Sequence, residues 1–149
     1  MKTIKMRKIA LYSLMTAMVY VLAAMPYTAS AKKKQAPKMY IFGFSASFKD
    51  STVYFTNVQE MDSVWYDTKT KFILSREEYA AQLKSYLTDR SGSKARTCIV
   101  LYDRKKKKVE KKLMKMKRQY TIKTKDKFDI RYIDNSDFSF KPVEYSEDE

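Results

Sequence analysis

The 149-residue chain has no histidine, one cysteine, two glycines and three prolines. Each shortage excludes something. Without histidine there is no imidazole for general base work or metal ligation, and no Ser-His-Asp triad can be assembled. A single cysteine, Cys98, cannot close a disulfide within the chain. Two glycines cannot build a Gly-rich phosphate loop or a dinucleotide fingerprint. Collagen-like, disulfide-scaffold and low-complexity classes are excluded as well. What is abundant is positive charge: Lys plus Arg is 31 and Asp plus Glu is 17, a formal +14. Apolar residues make up 44% and aromatics 14%, enough for one packed domain.

The first 31 residues read as an address. Lys2, Lys5, Arg7 and Lys8 precede an uncharged, mostly apolar run, Ile9–Met25. Pro26 ends the run, and Ala29-Ser30-Ala31 follows. Basic start, apolar middle and small-residue exit are the parts of a secretory signal peptide, with the cut expected after Ala31. No cysteine lies near the cut, which argues against a lipid-anchored form. The competing reading is an uncleaved anchor, but the run is at the short limit of about 17 residues for a span and contains Tyr12, Ser13 and Thr16. The expectation is an exported protein, periplasmic or extracellular, with no integral membrane domain after cleavage.

In the remainder, Lys32–Lys38 is basic and aperiodic and reads as a flexible leader to a single globular domain at 39–143. Met39–Phe48 alternates: Tyr40, Phe42, Phe44, Ala46 and Phe48 share one face of a strand. Thr52–Val58 is a second strand, joined to the first as a hairpin. Gln59–Ile73 reads as an irregular connection. Ser75 with Glu78 forms a capping box for a helix at Arg76–Asp89. Thr97–Tyr102 is a continuous apolar run, expected in the centre of the sheet. Asp103 is placed to cap a helix at Arg104–Tyr120, in which Val109, Leu113, Met116 and Tyr120 form a narrow apolar stripe. Phe128–Ile133 reads as an outer strand, Asp137–Val143 as a short extended piece, and Glu144–Glu149 as a frayed acidic tail. The fold class expected is α+β (mixed α/β), in the order β-β-α-β-α-β. It has one mixed sheet of four or five strands and two helices packed on one face.

The charge is concentrated. Arg104–Arg118 holds ten cations against one acid, Glu110. Cations in a first turn oppose the helix dipole, and like charges at i, i+4 repel. A helix start so flanked is a favourable seat for an anion, and it follows a central strand, where open sheets place ligands. The anion-binding candidates are Arg104, Lys105, Lys106, Lys107, Lys108, Lys111, Lys112, Lys115 and Arg118. The matching partners are acidic polysaccharide, lipid phosphate, nucleic acid or an acidic protein surface. The bland alternatives are a solvated lysine-rich face and an intramolecular contact with the acidic tail.

Other chemistry is thin. Cys98 sits among apolar neighbours and reads as a core thiol. Gly92-Ser93-Lys94 is a turn, not a phosphate loop. Ser45 and Ser47 have no base, and the carboxylate pairs Asp62/Asp67 and Glu77/Glu78 have no sign of a pocket. Most aromatics read as core, with Tyr54 and Trp65 the better surface candidates. No catalytic residue, metal ligand or cofactor is implied.

Phe42 to Trp65, together with Ala95 to Tyr102 and the Lys-rich helix that follows, resembles a group of small exported bacterial proteins without established activity. Some members are labelled enoyl-CoA hydratase. The sequence does not support that label, because Gly43 and Gly92 cannot supply the glycine-rich oxyanion sites that the label requires. The resemblance brings no functional residues. The expected role is a non-enzymatic binding or accessory protein of the bacterial envelope. The alternatives are an interaction module pairing through a sheet edge at Met39–Phe48 or Phe128–Ile133, and a small enzyme with an unrecognised site.

Overall fold

Fifteen consecutive residues, Lys33–Ser47, form one strand, β1, on which the rest of the domain is laid. The computed structural model describes residues 32–92 and 95–145. Residues 1–31, expected to be a signal segment, residues 93–94 and residues 146–149 of the acidic tail lie outside the described residues.

β1 is apolar on both faces: Phe42 and Phe44 belong to one core, Met39 and Ile41 to the other. A strand of that kind belongs inside a sheet, and β1 is paired along both edges. β2 (Thr52–Thr56) and β3 (Gln59–Asp67) run antiparallel to it along one edge. β4 (Arg96–Asp103) runs antiparallel along the other, so that Phe44 faces both Phe55 and Ile99. β5 (Asp129–Ile133) extends the sheet beyond β2, parallel to it. The result is a mixed sheet of five strands. Its class is α+β, in the element order read from the sequence with one strand more.

Two crossovers carry helices. α1 (Arg76–Ser91) links β3 to β4, and α2 (Lys106–Arg118) links β4 to β5, running on into a π-helical turn, Gln119–Lys123. The helices lie on opposite faces, not on one. Tyr79, Leu83 and Leu87 of α1 pack with Met39, Ile41 and Val100, while Val109 and Leu113 of α2 pack with Phe42, Phe44 and Phe55. The reason is the double apolar face of β1, which needs a cover on each side. Gly43 marks where α1 comes closest: a Cβ there would lie 2.6 Å from Leu83 Cδ2.

Several expectations change. The supposed leader is the first half of β1: Lys33 is in register with Asp67 and Lys38 with Asp62, so its cations lie across from acids of β3. Lys38 also makes an ion pair with Glu60. The supposedly irregular stretch is β3. Its buried residues are Gln59 and Met61, then Val64 and Tyr66. Ser63, at φ 58°, breaks the phase of the alternation. Ser75 also adopts a left-handed conformation (φ 55°) and makes no side-chain cap; its carbonyl accepts the N–H groups of Glu78 and Tyr79. α2 begins at Lys106, not Arg104, because Asp103 Oδ1 instead accepts the N–H of Lys105, 3.1 Å away. β4 pairs only with β1 among the described strands, and Ile99 is exposed, so β1 and not β4 is the central strand. Asp137–Val143 adds no strand. It crosses the α1 face instead, with Phe140 buried and its N–H donated to Gln59 Oε1.

Candidate functional site

The carboxyl end of β4 opens into a cleft of about 510 Å³ between the start of α2 and the turn before α1. Six cations line it: Lys71, Arg76, Arg104, Lys105, Lys108 and Lys112. Among the described residues, Asp103 is the one acid in its wall. The floor is apolar and aromatic, from Met39, Val100, Tyr66 and Tyr102.

The turn after β3 brings two of these cations in. Asp67 Oδ1 accepts the N–H groups of Lys69 (2.7 Å) and Thr70 (2.8 Å), and these bonds hold its carboxyl below the ordinary aspartate range. The Asp67 N–H donates to Phe72 O at 2.8 Å, closing the turn, and Lys71 sits at φ 64° within it. The Ile73 N–H donates to the Tyr102 hydroxyl at 3.2 Å, which ties the turn to β4. Lys71 and Phe72 are thereby carried to the mouth of the cleft.

Several of the cations are aimed by local partners. Arg104 donates to the Tyr66 hydroxyl at 3.2 Å and lies 5.7 Å over the same ring. Arg76 lies 5.7 Å over the Phe72 ring. Lys112 donates to Tyr102 O at 2.8 Å and sits 3.7 Å from Asp103 Oδ2. The ammonium groups of Lys105 and Lys108 have no hydrogen bond or ion pair among the described residues.

Of the nine candidates on the basic segment, four meet here: Arg104, Lys105, Lys108 and Lys112. Lys106, Lys107, Lys111, Lys115 and Arg118 do not; they are exposed elsewhere on α2. Lys71 and Arg76 were not singled out by the sequence, and neither were the aromatic walls. The only local signal was a pair of lysines, Lys69 and Lys71, shortly before a helix start. Tyr145, from the acidic tail, does not reach α2. Its ring lies 6.2 Å from that of Trp65, and its hydroxyl bonds to Lys33.

Cys98, two residues before Val100 on β4, is not part of the cleft lining. It is half-buried, burial pushes its thiol up, and its S–H points to Ser45 Oγ at 3.3 Å. Among the described residues no three carboxylates or thiols come together as a metal cradle. No helix among them is long and apolar enough to cross a membrane.

Comparison with protein-family models, with curated proteins and with solved structures finds no match to this chain.

Proposed function

We propose that this is an exported, non-enzymatic binding protein of the bacterial envelope that takes an anionic ligand in the cleft at the start of α2. The observation that carries the reading is six cations against one acid around a cavity of about 510 Å³. Such a volume suits a small molecule or the terminal group of a larger one, since ligand sites run at about 300–1,000 Å³. Arg76 and Arg104 are held by aromatic rings and supply fixed forks for phosphate or carboxylate oxygens. Lys105 and Lys108 supply exposed point charges that have no ion-pair partner among the described residues.

The test is a titration of the purified protein against a heparin-like sugar, an oligonucleotide and inorganic pyrophosphate at low and at physiological salt. One class should bind and survive physiological salt. Lys105→Gln with Lys108→Gln should lower that affinity about tenfold or more, at roughly 1.5–3 kcal/mol for charged hydrogen bonds. Lys106→Gln with Lys107→Gln, on the same helix but off the cleft, should leave it nearly unchanged. Equal effects from the two pairs, or binding that vanishes for every class with salt as counterion release predicts, would reduce the segment to a solvated face.

A further inference from the structure

At the end of the sheet away from the cleft, two apolar side chains stand out into solvent. Phe48, in the turn between β1 and β2, is fully exposed, and Ile122, in the π-helical turn, is 71% exposed. The two segments belong to one end of the molecule. The Asp129 N–H, at the start of β5, donates to Ser51 O at 3.0 Å. Tyr120 packs on Phe44 with ring centroids 5.1 Å apart. Lys49 follows Phe48, and Arg118, Lys123 and Lys125 surround Ile122 in sequence. Two of the acids at this end are already engaged, Asp50 with Arg96 at 2.8 Å and Asp129 with Arg131 at 2.9 Å.

We infer that this end of the molecule docks on an anionic lipid surface, with Phe48 and Ile122 entering the headgroup–acyl boundary and the cations above them facing lipid phosphates. Charge complementarity supplies the occupant. A membrane interface sets anionic groups directly over an apolar layer, which is the pairing this end presents. A nucleic acid answers the cations and can stack on Phe48, but it offers nothing for an aliphatic Ile122. An acidic polysaccharide answers the cations alone. The surface uses none of the cleft residues and stands independently of the reading above.

The test floats the protein, purified from the cells that make it, with vesicles of phosphatidylglycerol and phosphatidylcholine in equal parts, and with phosphatidylcholine alone. At about 0.15 M salt, where exposed charges more than a Debye length apart are screened, the protein should rise with the anionic vesicles and stay behind with the neutral ones. Phe48→Ser with Ile122→Ser should cut the bound fraction about tenfold or more, while Phe48→Leu keeps it. Lys123→Gln and Lys125→Gln should each weaken it about fivefold. The side chains at 48 and 122 are exposed, so an unchanged thermal midpoint checks folding. The cleft variant Arg76→Gln with Lys108→Gln should float like the parent. Equal flotation on neutral vesicles, a double serine variant that floats like the parent, or oligonucleotide binding that the serine variant loses while vesicles go unbound would each overturn the inference.

Discussion

Arg96 joins two turns of the sheet through one guanidinium. Its side chain is 3% exposed and meets Asp50 Oδ2 at 2.8 Å and Asp50 Oδ1 at 3.1 Å. It also donates to Thr52 O and, at 3.3 Å, to Ser45 Oγ, and it lies 4.8 Å over the Tyr54 ring. Partial burial works to raise the Asp50 carboxyl, but the Thr52 N–H and the Arg96 guanidinium outweigh it and hold it below its ordinary value. A carboxyl with a depressed folded value stabilises the fold above its unfolded pKa, about 3.9, and that contribution is lost as the pH falls through the folded value. Urea unfolding from neutral pH downward should therefore show stability falling below about pH 4. In Asp50→Asn the neutral-pH stability should be lower and the fall in that window shallower. A parent and variant with parallel pH profiles would mean the pair contributes nothing. The sequence held no sign of this pair, because Asp50 and Arg96 are 46 positions apart and only the β1–β4 register brings them together.

At the scale of the element, α2 shows both what a pattern reveals and what it hides. Its apolar stripe was legible: Val109 and Leu113 are buried, and Met116 and Tyr120 are packed against the same core. Leu113→Ala should cost about 2–5 kcal/mol, as for other buried leucines. Chemical denaturation would measure it, and a near-neutral result would refute the assignment of that face. Hidden from the pattern was the division of the lysines, because charge periodicity says nothing about which neighbour a face meets. β3 was missed for a different reason. A strand is read by strict alternation, and the left-handed Ser63 resets that alternation halfway along. The first half of β1 was missed because lysines and Pro37 resemble a linker. Their partners are the acids of β3, 22 or more residues away.

On the scale of the whole molecule, the α+β class, the two helices and the mixed sheet followed from composition and period. The two-sided arrangement did not, although Met39 and Ile41 stand on the strand face opposite Phe42 and Phe44. Four of the six cations at the cleft were legible, those that lie on one contiguous basic segment. The other two come from the turn after β3 and the start of α1, and nothing in a single sequence says that residues 71 and 76 will face residues 105 and 108.

The double pairing of β1 also sets an order of assembly. β2 and β3 follow β1 closely in the chain, so that hairpin closes across short loops. The opposite edge must wait for Arg96–Asp103. Pulsed hydrogen exchange during refolding should protect the amides of β2 and β3 before those of β4; the reverse order would sink the idea. A chain emerging amino end first must therefore carry the open edge of Tyr40–Ser47, which includes Phe42 and Phe44, until β4 follows. During that interval the same strand that later organises the domain is the one most open to a stray partner.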